Sequence, residues 1–384
     1  MNFTPVTPLK HQLLNRIRQS GPMSFADFMA AALYDPLHGY YASGKARIGR
    51  EGDFTTSVST GALFGRLLAR QFAECWTMLG RPNEWLLVEQ GAFDGRLSCD
   101  ILEALSVQDP PCFEATRLHI VEPFSQFQVR QAEILILFKD KVVWHSDAAE
   151  LPEYHGVHFS NELLDAFPVH RVRRQNGAWT ELRIGEEDGA LIWQAAPIIC
   201  TNLRDAAETT PTTDEGFTTE ICLEHRDFFV NAALKLRQGW MLTCDYGMAD
   251  WELAAPHRKD GTLTAYRDQK RHSDVLACPG EQDLTSHVNF TTATRSAIAS
   301  GFSFVGYTDQ HRFLTGLAPL HFHDATESLS MQQQREFLQF RTLTHPQLMG
   351  TQFKALCLSK GLTQNLLPSG FKHAEATSAQ LQIQ

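Results

Sequence analysis

The chain has no CxxC pair, no long basic run, no apolar stretch of membrane length and no G-x-G-x-x-G, and each absence removes a class of function. Its eight cysteines (Cys75, Cys99, Cys112, Cys200, Cys222, Cys244, Cys278 and Cys357) stand singly, several of them inside apolar runs. That argues against a zinc ribbon or a disulfide framework and for buried thiols in a reducing compartment. His155 and His158 have metal-like spacing only superficially, because no third ligand stands near them in the pattern, and no metal is expected. With 34 basic against 44 acidic residues the formal net charge is −10. A surface that tracks a nucleic-acid backbone needs the opposite sign, so nucleic acid is not an expected partner. No run reaches the roughly 18 apolar residues of a membrane span. The opening MNFTPVTPLK lacks a charged leader followed by an apolar stretch, so the expected location is cytoplasmic. No internal repeat is visible.

What is present is an ordinary globular composition, 43% hydrophobic and 20% charged over 384 residues. This suits one large α/β domain with insertions, or a core with a helical cap. Leu9, Leu13, Leu14 and Ile17 fall at helical spacing and stop at Gly21-Pro22; Ser24 and Asp27 open a second helix. Leu63, Phe64, Leu67, Leu68, Phe72 and Trp76 mark a third, ended by Gly80-Arg81-Pro82. From residue 85 short apolar strands alternate with helices: 85–89, 118–122, 142–144, 157–159, then 240–245, 302–307 and 353–358. This rhythm predicts a mainly parallel sheet covered on both faces. It breaks at 169–195, where Asn176-Gly177 and Asp188-Gly189 predict an inserted antiparallel β-meander. A polar loop follows at 207–216, and a polar insertion covers 250–290. The domains are read as an N-terminal helical cap and lid segment over 1–80 and an α/β domain over 81–369, with insertions at about 169–215 and 250–290. Residues 370–384 read as a disordered tail.

The first βα turn is Glu89-Gln90-Gly91-Ala92-Phe93-Asp94-Gly95. Gly91, Ala92 and Gly95 let backbone amides approach a ligand at a helix N-terminus. A dinucleotide would need the longer glycine signature for its pyrophosphate. S-adenosylmethionine (SAM) has a carboxylate there instead, so the shorter turn suffices. Acids recur at successive strand ends: Glu89 after the first strand, Glu122 after the second, Asp147 after the third. In a doubly wound sheet these ends share one crevice, where Glu122 would accept ribose hydroxyls and Asp147 would meet the adenine amino group. Helix capping is the competing reading for each acid taken singly.

The chain resembles the MidA family, which includes mitochondrial protein arginine methyltransferases that assist assembly of respiratory complex I. The resemblance spans nearly the whole chain. It rests on ordered segments: Tyr34-Asp35-Pro36 with Gly39-Tyr40-Tyr41, Gly52-Asp53-Phe54-Thr55-Thr56, Gly91-Ala92, Gly95-Arg96-Leu97, Asn161-Glu162-Leu163-Leu164-Asp165-Ala166-Phe167-Pro168, Asp245-Tyr246-Gly247 and Pro279-Gly280-Glu281-Gln282-Asp283-Leu284-Thr285. It implies a seven-stranded Rossmann-like SAM methyltransferase sheet with an N-terminal helical cap. It also implies a lid around Phe54 and Thr55, a role for Asn161 beside the cofactor, and a protein substrate such as a respiratory-complex subunit. Phe93 stands where the family usually has glycine, and its ring either crowds the methionyl part of SAM or turns away. Arginine is always charged, so its methylation needs carboxylates to orient the guanidinium. Glu162 is assigned that role, with Asp165 or Asp53 assisting; the i,i+3 spacing of Glu162 and Asp165 places them on one face of a helical turn. Two other readings stand beside this one: a methyltransferase for a small-molecule acceptor, and a methyltransferase fold without catalysis that works as a binding or assembly factor. The oligomeric state is open, a homodimer included.

Overall fold

The first apolar run after Pro82 becomes a strand, Trp85–Gln90 (β1), with Trp85, Leu87 and Val88 buried. Burial on both faces is the signature of a central parallel strand, and that is where β1 lies. The computed structural model describes residues 7–44, 56–268, 270–322, 330–364 and 366–383, and the chain divides into two compact units.

The second unit comprises Thr56–Leu163, Phe228–Gly247 and Phe290–Gln384. Its strands are β1, Thr116–Val121 (β2), Val142–His145 (β3), Tyr154–Asn161 (β4), Leu236–Met248 (β5), Ser303–Asp309 (β6) and Phe353–Lys360 (β7). Their order in the sheet is β6-β7-β5-β4-β1-β2-β3. β1 runs parallel to β2 and β4, β2 to β3, and β4 to β5, whereas β7 is antiparallel to both β5 and β6. The seven strands expected from the sequence are therefore present, as the main path of a mainly parallel, Rossmann-like sheet of eight strands. Strand order reverses between β1 and β4, which puts the ligand crevice of such a sheet at their carboxyl ends.

Gly156 of β4 lies in register with Leu86 of β1 and with Gly239 of β5. A Cβ at Gly156 would sit 1.9 Å from the Leu86 carbonyl oxygen, and one at Gly239 the same distance from the carbonyl of Gly156. Backbone occupies the space of two side chains, so only glycine fits this row.

Helix Leu63–Met78 buries Phe64, Leu67, Leu68 and Phe72 in the same core, with the Phe72 ring 5.1 Å from that of Phe159 on β4. It belongs to the sheet unit, so the boundary expected near residue 80 falls instead between 55 and 56. The expected disordered tail is also corrected. Residues Ser369–Phe371, Glu375–Ser378 and Ala379–Leu381 form short helices that bury Phe371, Ala374, Thr377 and Leu381. Thr377 donates through Oγ1 to the Tyr307 carbonyl at 2.7 Å, and the Tyr307 amide donates to Ser378 Oγ at 2.9 Å. A mostly polar segment hides four contact residues at helical spacing.

The first unit comprises Met1–Thr55, Leu164–Asp227 and Met248–Asn289. Helices Pro8–Ser20 and Phe25–Tyr34 are capped by Thr7 and Ser24, as the sequence indicated for the second. The meander is present as Ala190–Pro197, Ala178–Glu187 and His170–Gln175, extended by the unforeseen strand Thr218–Ile221. Asn176 and Gly177 adopt φ of 53° and 74°, the left-handed pair that a two-residue hairpin requires. The insertion at 250–290 holds a second small sheet, ordered Lys270–His272, Thr264–Arg267, Asp283–Thr285.

Gly156→Ala or Gly239→Ala should cost at least about 3 kcal/mol, because backbone must move to admit the methyl group. Gly177→Ala, with nothing within 4 Å of its Cβ, should cost only the left-handed penalty of about 1–2 kcal/mol. Urea unfolding of the three variants checks the contrast.

Candidate active site

The carboxyl edge of the second unit is built from three backbone anchors. The Gly91 amide donates to the Val121 carbonyl at 3.3 Å, the Glu122 amide to His145 at 2.9 Å and the Glu162 amide to Cys244 at 2.9 Å. These bonds extend the sheet ladder by one residue past β1, β2 and β4, so the groups that follow each strand are fixed relative to one another. Asp245, absent from the sequence-derived site, adds a fourth anchor. It is fully buried, and its carboxylate accepts from the Leu163 amide at 3.1 Å and the Tyr246 amide at 2.8 Å. Asp245 closes the apolar run 240–245 and so fits the strand-end pattern that singled out Glu89 and Glu122, although β5 itself continues to Met248.

Gly91 and Gly95 adopt φ of 78° and 81°. A Cβ on Gly91 would meet Leu163 Cδ1 at 2.7 Å; one on Gly95 would press on Gln131 at 3.3 Å. The Gly95 amide closes the turn on the Ala92 carbonyl at 2.8 Å, and Gly95 caps helix Arg96–Gln108. Between them Phe93 also has positive φ, 46°, which explains why glycine suits this position. Its ring lies 5.4 Å from that of Phe127 and 5.2 Å beneath the Arg130 guanidinium, so it packs against helix Ser125–Ile134.

Glu89 is 2% exposed and accepts a hydrogen bond from Ser98 Oγ. Glu122 is 4% exposed; its carboxylate accepts from the Phe124 amide at 3.0 Å and from Gln131 Nε2 at 3.2 Å. Burial raises both carboxyls to about 7, against the hydrogen bonds that favour the charged forms. Asp147 is exposed at the end of β3, and one of its oxygens caps the turn Ala148–Glu150 through the Ala149 amide at 2.7 Å. Asn161 ends β4. Its Nδ2 donates to Glu162 Oε1 at 3.0 Å, and its buried Oδ1 has no hydrogen-bond partner among the described residues.

Glu162 has φ of 53°. It is therefore not in a helical turn with Asp165, which corrects the expected shared face: the turn starts only at Leu164. A non-glycine residue held in this region stores strain, a recurrent property of functional positions. Asp165 is a residue of the first unit, where it is buried and its carbonyl accepts from the Ser286 amide at 3.0 Å. In that unit Tyr41 donates to the buried Asp283 at 2.9 Å and Tyr34 donates to the Ala166 carbonyl at 2.8 Å. Burial first, then the charges of Asp283 and Asp165, push both phenols well above their ordinary range. Asp53, Phe54 and Thr55 lie outside the described residues. His158 is fully buried, faces Tyr154 and Gln90, and burial lowers it to about 4, whereas His155 is exposed; the two alternate across the pleat of β4.

The donors and acceptors at this edge fit a nucleoside bearing an amino acid: a glycine turn at a helix N-terminus, a buried carboxylate after β2, and, at the end of β4, an amide oxygen without a partner among the described residues. Comparisons agree with that chemistry. A Burkholderia thailandensis protein solved with bound S-adenosyl-homocysteine superposes with a TM-score of 0.85 at 27% identity, over 95% of each chain. The human mitochondrial protein arginine methyltransferase NDUFAF7 is 27% identical over 82% of this chain and 74% of its own length. The Bos taurus protein of the same name is 28% identical over 92% of this chain and 83% of its own. No helix among the described residues is long and apolar enough to cross a membrane. Residues 67–308 match the family described as S-adenosyl-L-methionine-dependent methyltransferases; the chain belongs to that family.

Proposed function

We propose that the chain methylates an arginine of a protein substrate, with the chemistry at the carboxyl edge of the second unit. The observation that carries this reading is Glu162: a glutamate in a strained conformation, pinned through its amide to Cys244 and followed by a Leu163 amide pinned to Asp245. The names of the human and bovine relatives support arginine as the acceptor.

SAM supplies a methyl group on a sulfonium, and the protein's tasks are alignment and keeping the acceptor nucleophilic. Gly91, Ala92 and Gly95 would admit the methionyl part to the helix N-terminus, Glu122 would accept the ribose hydroxyls, and Asp147 would take the adenine amino group. Asn161 Oδ1 would accept from the ligand's ammonium, Glu89 would act from the end of β1, and Phe54 and Thr55 would cover the cofactor. Glu162 would accept guanidinium N–H bonds and orient one nitrogen, because a cation with a pKa above about 12 is not deprotonated in advance. Asp53 and Asp165 are proposed as its assistants. A respiratory-complex subunit as acceptor and a homodimer are narrower versions of the proposal. The eight free cysteines, six of them buried, support a reducing compartment; the cytoplasm is one such location, and the relatives named above are called mitochondrial.

A second reading, a methyltransferase fold without catalysis acting as a binding or assembly factor, takes its support from Phe93. The packing of that ring against Phe127 and Arg130 argues against it.

Glu162→Gln should lower turnover at least about 100-fold while S-adenosylhomocysteine affinity stays within about threefold. A labelled-donor assay on extract from cells lacking the protein, read by mass spectrometry, names the acceptor. Unchanged turnover removes Glu162 from the mechanism, and label found only in small molecules removes the protein substrate. Phe93→Gly should leave S-adenosylhomocysteine affinity within about threefold. The ring packs against Phe127 and Arg130 of helix Ser125–Ile134, so removing it should leave the cofactor's own contacts in place. A gain of tenfold or more in calorimetric titration would place the ring in the cofactor's way and favour the second reading.

A further inference from the structure

Glu122 is gripped twice by one helix. Gln128 donates through Nε2 to its backbone carbonyl at 2.7 Å, and Gln131, one turn on, donates to its carboxylate at 3.2 Å. Gln131 is fully buried and makes two further bonds: Nε2 donates to the Phe93 carbonyl at 2.9 Å, and Oε1 accepts from Trp144 Nε1 at 3.0 Å. The amide orientation is forced, because a carbonyl and a carboxylate can only accept while an indole N–H can only donate. One side chain therefore ties together the glycine turn after β1, the acid after β2 and a tryptophan of β3. The 3.3 Å approach of a Gly95 Cβ to Gln131 shows how closely the turn is seated on it.

We propose that Gln131 is a positioning residue for nucleoside recognition. With the Phe124 amide, it fixes both oxygens of the Glu122 carboxylate so that their remaining lone pairs face the two ribose hydroxyls, and it holds the glycine turn in the matching register. A buried glutamine at a helix position is more often only a structural tie. Here the tie ends on the acid assigned to the ribose, and that difference is measurable. The inference rests on the ribose role of Glu122 proposed above.

The test is calorimetric titration of the full chain with S-adenosylhomocysteine and with its 2′,3′-dideoxy analogue, for the native protein, Glu122→Gln and Gln131→Met. Methionine keeps the length and apolar contacts of Gln131 but makes none of its hydrogen bonds. The native protein should prefer the hydroxylated ligand by about 100-fold or more, as expected for two hydrogen bonds to a charged group. Both variants should bring that preference down to threefold or less. If Gln131→Met lowers both affinities equally and keeps the preference, while Glu122→Gln loses it, Gln131 is only structural and the inference is overturned with the ribose reading intact. If Glu122→Gln keeps the preference, the ribose reading falls and the inference with it. Gln131→Glu serves as a second variant should the methionine chain fail to fold. Its carboxylate would face Glu122 and the Phe93 carbonyl, so its S-adenosylhomocysteine affinity should rise as pH falls from 8 to 6 and one shared proton restores a donor. A flat profile contradicts the proposal.

Discussion

The site depends on one electrostatic constraint: a carboxylate that burial would rather neutralise must be kept as a hydrogen-bond acceptor at the carboxyl edge of the sheet. Glu122 is 4% exposed, and desolvation alone would leave it a neutral acid near neutrality. Two donors oppose that, the Phe124 amide and Gln131. The same glutamine holds the glycine turn through the Phe93 carbonyl, so the position of the turn and the chemistry of the acid are coupled through one amide. The sheet supplies the rigidity that makes this useful. Backbone bonds continue beyond β1, β2 and β4, and the glycine row Gly156–Gly239 lets β1, β4 and β5 approach without side chains between them.

Much of this was legible in the residues. Parallel strands buried on both faces read as short, uninterrupted apolar runs, which is why β1 to β5 stand out; β6 and β7, which pair antiparallel, show the same apolar runs. The positions of Glu89, Glu122 and Asp147 at or just past the ends of β1, β2 and β3 were legible because each follows or closes an apolar run. Asp147 proves to combine exposure with a capping bond, so part of its carboxylate is already committed to the fold.

The rest was illegible for identifiable reasons. Gln128 and Gln131 look like an ordinary solvated helix face, and nothing local reveals that Gln131 is buried against three partners from elsewhere in the sequence. Gly156 and Gly239 are isolated glycines in strands, where register alone decides whether a Cβ fits. The terminal segment reads as disordered because Phe371, Ala374, Thr377 and Leu381, all buried, are spread among polar residues. The Glu162–Asp165 spacing misled because a left-handed residue breaks helical periodicity, and a glutamate gives no warning of positive φ. Phe93 repeats that lesson: a position that favours glycine for its backbone angle carries a side chain that finds room on the neighbouring helix.

Proton linkage tests the central claim most directly. Burial pushes the Glu122 carboxyl up to about 7 in the free protein; accepting two ribose hydroxyl bonds would favour its charged form and lower that value. Binding of S-adenosylhomocysteine at pH 7 should therefore release protons, measured by calorimetry in two buffers of different ionisation enthalpy. The release should fade toward pH 9, where Glu122 is already ionised, and should shrink in Glu122→Gln. Binding with no proton exchange at pH 7, or with proton uptake, would contradict the assignment of a buried, ionised Glu122 as the acceptor that holds the cofactor.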